Sequence, residues 1–235
     1  MATIYLIRHG QASFGAANYD QLSPLGQLQA SRTGQYLART GVRLDAAYSG
    51  DLWRQRETCQ LICKEMGEGI EHTVDSRFNE IHNDEQVKAL APILAEKSES
   101  FKTLIDRGLS SSKDYQKVID AVFNHWVSHD CSEYGIQSWQ EYSGLVRDAL
   151  ENVMRTEGGG KTIGIFTSGG TIATMVAQVL GLGGQQTYQF YEPVFNCSVT
   201  QLFYSAQKVS LSYFNDRSFL QLLGEEHGEE LVSYR

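Results

Sequence analysis

Cysteine is scarce in this chain, basic residues are outnumbered by acidic ones, and no apolar stretch is long enough to cross a bilayer. The four cysteines, Cys59, Cys63, Cys131 and Cys197, are scattered through 235 residues, too few and too far apart for a disulfide scaffold. A reducing compartment is the simpler setting, and the cytoplasm is the expected location. Cys59 and Cys63 sit four apart on an expected helix, but no nearby cysteine or histidine completes a zinc-ligand spacing, so both read as core thiols. The formal charge of −8 argues against nucleic acid as a partner, because replacing counterions along a phosphate backbone takes clustered Lys and Arg. An anionic ligand must instead be met by a local basic pocket. No signal-peptide pattern precedes the first strand and no apolar run approaches the roughly 18 residues that span a bilayer, so no membrane association is expected.

What is present is an ordinary globular composition, 41% hydrophobic and 20% charged, long enough for one domain with a sizeable insertion. The apolar run Ile4-Tyr5-Leu6-Ile7 reads as a buried strand that ends on Arg8-His9-Gly10. Ser23-Pro24 caps a helix expected to run to about Thr40, where Gly41 stops it. Leu44 to Tyr48 is a short strand candidate, followed at Ser49-Gly50-Asp51 by a turn into a helix carrying Leu52, Leu61, Ile62 and Met66, with Arg54 in its first turn. Far downstream the strand Lys161 to Thr167 leads through Ser168-Gly169-Gly170-Thr171 into an apolar helix through Leu180. Residues 82–157 look helical: Tyr115, Val118, Ile119, Val122, Phe123, Trp126 and Val127 fall at helical spacing, as do Leu145, Val146, Ala149, Leu150 and Val153. Residues 196–215 are expected to close the sheet as an antiparallel pair. The predicted fold is therefore α/β, a three-layer, mostly parallel sheet flanked by helices, forming a single domain over 1–235 with a helical cap inserted at 82–157.

Ligands of such sheets bind at the carboxyl ends of the strands, and Arg8, His9, Arg54 and Ser168 all lie just beyond such ends. A guanidinium stays protonated and grips phosphate oxygens in bidentate fashion, while an imidazole nitrogen beside it can attack phosphorus. Arg56 points away from Arg54 on the same helix, and the first-turn position favours Arg54. Gly158-Gly159-Gly160-Lys161-Thr162 invites a phosphate-loop reading and fails it, since Arg155 occupies the first glycine position and the glycines precede a strand instead of following one.

Several ordered stretches resemble the histidine phosphatase superfamily, the phosphoglycerate-mutase-like group: Leu6-Ile7-Arg8-His9-Gly10, Leu22-Ser23-Pro24-Leu25-Gly26 with Gln29-Ala30, and Tyr48-Ser49-Gly50-Asp51-Leu52-Trp53-Arg54 with Thr58. The resemblance implies that His9 becomes phosphorylated, that Arg8 and Arg54 hold the phosphate, and that Glu80, in Arg77-Phe78-Asn79-Glu80-Ile81, is the general acid. His82 is a weaker stand-in for Glu80. As acid and then base, Glu80 needs a pKa tuned toward neutrality. The chain departs from the pattern at Ser168, where the family usually carries a second histidine. Ser168 can donate a hydroxyl there, helped by backbone amides of the following helix, or serve as its cap. Losing one preorganised donor costs about 10²–10³ in rate, against accelerations of phosphomonoester hydrolysis of up to about 10²¹.

The expected activity is thus that of a phosphomonoesterase working through phosphohistidine on His9, without metal or cofactor, on a small phosphorylated substrate. Two alternatives stand beside it, a catalytically impaired phospholigand-binding protein and a phosphoglycerate mutase. The mutase ranks lower because Gln11-Ala12-Ser13-Phe14-Gly15 lacks the Trp-Asn pair usual after the mutase Arg-His-Gly. The cap and the loop from Phe14 to Asp20, with Phe14 and Tyr19 as aromatic candidates, are expected to line the leaving-group side. Neither the particular phosphoester nor the oligomeric state is legible.

Overall fold

The apolar run near the amino terminus does form a strand, β1 (Ala2–Arg8), in the interior of a six-stranded sheet. The structure is a computed structural model that describes residues 2–13, 20–108 and 111–234. Phe14 and Tyr19 lie outside the described residues. From β1 the chain passes through α1 (Pro24–Arg39), β2 (Ala46–Ser49), α2 (Trp53–Met66) and β3 (Glu71–Val74). Four helices follow, α3 (Asn83–Lys97), α4 (Glu99–Asp106), α5 (Ser112–Ser128) and α6 (Trp139–Glu157). The chain then returns to the sheet as β4 (Thr162–Thr167) and continues through α7 (Gly169–Val179), α8 (Gly184–Tyr191), β5 (Val199–Tyr204), β6 (Val209–Asp216) and α9 (Ser218–His227).

The strand order is β3-β2-β4-β1-β5-β6. The pairs β1/β4, β2/β4 and β2/β3 are parallel, whereas β1/β5 and β5/β6 are antiparallel. Mostly parallel pairing follows from the helical crossovers between the first four strands. The 196–215 segment forms the expected antiparallel pair and also docks β5 along β1.

Side chains alternate across the sheet, and the two faces build two cores. Ile4 and Leu6 of β1 and Ile163 and Ile165 of β4 pack with helices of the segment between β3 and β4 and with α7. Ile7 and Phe166 face the other way, onto Ala30 and Leu37 of α1, Ile62 of α2 and Leu220 of α9. The sheet is therefore the middle of three layers. Most of both periodic stripes read from the sequence is buried: Val118, Val122, Phe123 and Trp126 on α5, and Val146, Ala149, Leu150 and Val153 on α6, share one core with the sheet, whereas Tyr115 and Leu145, at the margins of the stripes, are 39% and 42% exposed. Trp126 is 1% exposed and its indole N–H donates to the Gln137 carbonyl at 2.7 Å.

Trp126→Ala should lower the free energy of unfolding by about 3–5 kcal/mol, the usual cost of emptying a large aromatic site. Urea denaturation reads it as a lower midpoint at unchanged slope; an unmoved midpoint would mean that α5 stands outside the cooperative core.

Candidate functional site

Parallel register sets Arg8 opposite Thr167, and the His9 amide donates to the Thr167 carbonyl at 2.9 Å. The strand ends β1 and β4 thereby hold the His9 loop and the Ser168 turn side by side. The loop is then pressed against α1. A Cβ on Gly10 would lie 2.4 Å from the Gly26 carbonyl oxygen, and one on Gly26 would lie 2.1 Å from the Gln11 carbonyl oxygen, so both positions demand glycine. Side chains of the same motif complete the clamp. Ser23 caps α1 by accepting from the Gly26 amide at 3.0 Å while its hydroxyl donates to Gln11 Oε1 at 2.9 Å. Gln29, fully buried, accepts from the Gln11 amide at 2.9 Å. From α2, Thr58 accepts the Gly10 amide at 3.0 Å and donates to the Arg54 carbonyl at 2.7 Å.

This scaffold decides the state of the imidazole. His9 is 5% exposed, with Nδ1 2.7 Å from the Gly10 carbonyl oxygen. A carbonyl only accepts, so Nδ1 carries the proton and Nε2 the lone pair. Arg54 Nε donates to that lone pair at 3.1 Å, and its Nη1 pairs with Asp20 at 2.5 Å. Burial, and then the Arg54 and Arg8 cations, hold the His9 pKa well below the ordinary histidine value. Arg8 is anchored by donating Nη1 to the carbonyls of Val194 and Tyr234, the latter at 3.0 Å. The carboxyl-terminal segment thus helps to set Arg8.

Glu80 reaches the same corner. Its Oε1 accepts from the amides of Ile81 at 2.9 Å and Gly170 at 3.1 Å. Burial raises its pKa above the usual carboxylate value, against the pull of those amides and both arginines. The His82 side chain is 58% exposed and 4.0 Å from Glu85, with no hydrogen bond to the residues of this corner. A cavity of about 260 Å³ beside Glu80 has Arg77, His82, Gln137, Tyr142 and Leu145 in its wall.

Ser168 is fully buried at the position before the first turn of α7, yet its hydroxyl makes no hydrogen bond to that helix. The cap expected of it is not formed by the side chain. Ser168 Oγ instead accepts from Gln55 Nε2 at 2.8 Å. Gln55 escaped sequence reasoning because its partner lies 113 residues away and a helical glutamine carries no signal of its own. Asp20 was legible only as the end of a loop.

A family model described as histidine phosphatase superfamily (branch 1) matches residues 4–108 and 105–217. The chain belongs to the histidine phosphatase superfamily. Curated relatives of this superfamily member include the 2,3-bisphosphoglycerate-dependent phosphoglycerate mutases of Azorhizobium caulinodans, 36% identical over 84 residues, and Brucella ovis, 35% identical over 85. The match spans 33% of this chain and 41% of each relative's length. A phosphoserine phosphatase mutant from Entamoeba histolytica, in complex with phosphoserine, shares the fold with a TM-score of 0.65 at 19% identity, over 94% of this chain and 100% of that one. A phosphoglycerate mutase from Bacillus anthracis also has a TM-score of 0.65 at 19% identity, over 94% and 95%. A mycobacterial glucosyl-3-phosphoglycerate phosphatase follows with 0.60 at 19%, over 91% and 98%.

In a ¹⁵N NMR titration the His9 ring should stay neutral, protonated on Nδ1, below the ordinary value of 6.5. Arg54→Met should raise the midpoint by removing a neighbouring cation. A ring that titrates at the ordinary value in the unaltered protein would refute this electrostatic account.

Proposed function

We propose that this member of the superfamily is a phosphomonoesterase that passes the phosphoryl group through His9, with residues 82–157 serving as a helical cap of the single domain 1–235. The observation that carries the reading is the fixed tautomer: Nδ1–H is tied to the Gly10 carbonyl and Nε2 is presented with its lone pair beside Arg54. Arg8 and Arg54 supply the positive charge that a phosphate dianion requires, and they bring it without a metal. As the phosphate enters, the Arg54 Nε–H turns from His9 Nε2 to a phosphate oxygen; Nε2 then attacks phosphorus, the N–P bond forms as the P–O bond to the leaving group breaks, and protonated Glu80 gives its proton to the departing oxygen. Glu80 then takes a proton from water, which attacks the phosphohistidine and releases inorganic phosphate. The raised Glu80 pKa suits the first half of the cycle and the lowered His9 pKa suits the attack. The substrate is a small phosphorylated molecule, and the cavity between Glu80 and the cap residues Gln137, Tyr142 and Leu145 is where its leaving group has room. The cytoplasm remains the expected location.

A second reading, mutase activity, is favoured by the mutase relatives and opposed by the residues after Gly10, Gln11-Ala12-Ser13-Phe14-Gly15, which lack the Trp-Asn pair that the family resemblance leads one to expect of a mutase. Interconversion of phosphoglycerates in a coupled assay would favour it over hydrolysis. Incubation with a phosphodonor should leave an acid-labile phosphoryl label on His9, and His9→Ala should lose both the label and phosphate release across a panel of sugar, nucleotide and phosphoprotein esters. Binding of those esters with no label on the unaltered protein would favour a silent phospholigand-binding protein instead.

Hydrolysis should follow a bell in pH. His9 must be neutral, so the acid limb falls below 6.5; Glu80 must be protonated, so the alkaline limb lies above the usual carboxylate value of 4.5. Glu80→Gln should slow turnover by about 10²–10⁴ and erase the alkaline limb. An alkaline limb that survives the substitution would assign the acid to another group.

A further inference from the structure

The phosphate corner of this chain holds a serine where the superfamily resemblance places an imidazole, and the serine does not stand alone. We propose that Gln55 and Ser168 work as one donor unit, in which the buried carboxamide aims the Ser168 hydroxyl at the phosphoryl group and so takes the place of the second histidine. The proposal rests on the part of the phosphatase reading that places a phosphoryl group at His9, Arg8 and Arg54, and not on its turnover. Gln55 is a positioning residue in it, and Ser168 is the group that touches substrate.

The orientation of the carboxamide is settled by its neighbours. Gln55, fully buried in the first turns of α2 beside Arg54, donates Nε2 to the Phe78 carbonyl at 3.2 Å and to Ser168 Oγ at 2.8 Å. The Phe78 carbonyl only accepts, so the –NH₂ end must face it and Ser168. The Ser168 oxygen is then an acceptor toward Gln55, and its own O–H is left to donate elsewhere. None of the described residues accepts that proton.

Its surroundings are the phosphate-binding groups. The residue before Ser168 accepts the His9 amide. On the other side, Arg8 Nε lies 3.7 Å from where a Cβ on Gly169 would be, and the Gly170 amide meets Glu80.

The other end of Gln55 is the second observation. Gln55 Oε1 is buried with no hydrogen-bond partner among the described residues, a costly arrangement that calls for a reason. It lies where a side chain at position 50 would begin, 1.9 Å from an ideal Cβ there, so Gly50 is what makes room for it. The carboxamide is held with its positive end toward Ser168 and its negative end toward Gly50. That polarity favours an anion at the serine. Gly50, Gln55 and Ser168 form a matched set from three elements, in which the glycine admits the amide and the amide turns the hydroxyl.

The test is a double-mutant cycle on purified protein with p-nitrophenyl phosphate as substrate and vanadate as a tetrahedral-anion probe. Ser168→Ala should lower kcat about 10²–10³-fold, as removal of one preorganised donor does, and Gln55→Met, close to isosteric but unable to donate, should lose most of the same factor with little change in KM. The double variant should be no worse than Ser168→Ala alone, because removing an aim without a hydroxyl to aim costs nothing further. Losses that multiply would overturn the unit while leaving the phosphatase reading intact. Vanadate affinity follows the same cycle if the unaltered protein turns nothing over, the outcome that would sink the phosphatase reading and not this one. Gln55→Glu covers the case in which Gln55→Met fails to fold. A protonated carboxyl can still donate to Ser168 and a carboxylate beside an anion cannot, so activity or vanadate binding in that variant should survive only on the acid side. A profile unchanged from that of the parent protein would refute the relay.

Discussion

A single hydrogen bond, from His9 Nδ1 to the carbonyl of the next residue but bound to its own loop's geometry, governs the chemistry of this site. With the proton held on Nδ1, the lone pair of Nε2 has one direction to face, and that direction is already occupied by the Arg54 guanidinium. The bond can form only if the Gly10 carbonyl is turned back toward the ring. That turn depends on Gly10 and Gly26 meeting backbone to backbone, on Thr58 holding the Gly10 amide, and on Gln29 holding Gln11. Changing any of these pieces alters the environment of one nitrogen atom.

The electrostatics follow from the same compactness. Two arginines beside an imidazole would ordinarily repel its protonated form, and burial adds a desolvation cost to that form, so the ring is held neutral. Burial acts in the opposite sense on Glu80, whose charged form it penalises. One dry corner therefore pushes a base toward its neutral form and an acid toward its protonated form, the pairing of opposite shifts that acid–base chemistry on a phosphoester needs. Arg54 is neutralised in part by Asp20 and Arg8 is tied to the carbonyls of Val194 and Tyr234. The net acidic protein thus concentrates positive charge in one place and anchors it from the loop after β1, from the segment before β5 and from the carboxyl terminus.

Much of the architecture was legible because it is written in local periodicity. β1, α1, α2, β4 and α7 announce themselves by apolar runs, a Ser-Pro cap and glycine turns, and α5 and α6 by stripes at helical spacing. β3 left no such mark. Glu71-His72-Thr73-Val74 is an edge strand, mostly exposed, with no alternation to read, and its pairing with β2 is decided by the sheet and not by its own residues. Ser168 was recognised as the odd residue of the turn, but its hydroxyl ignores the helix that it precedes in favour of a glutamine on α2.

The amino-acid sequence by itself determined the strand-and-helix order, the presence of an arginine–histidine pair at a strand end, and the ordered motifs of a superfamily, since these depend on residues close together in the chain. Only the tertiary structure decided which nitrogen of His9 carries the lone pair, which cation faces it, how Asp20, Val194 and Tyr234 hold the arginines, and that Gln55 reaches Ser168. Those facts rest on distances between segments far apart in sequence. Hydrogen-bond direction, burial and the electric field at an atom are set by what folding brings alongside it, and local pattern carries none of the three.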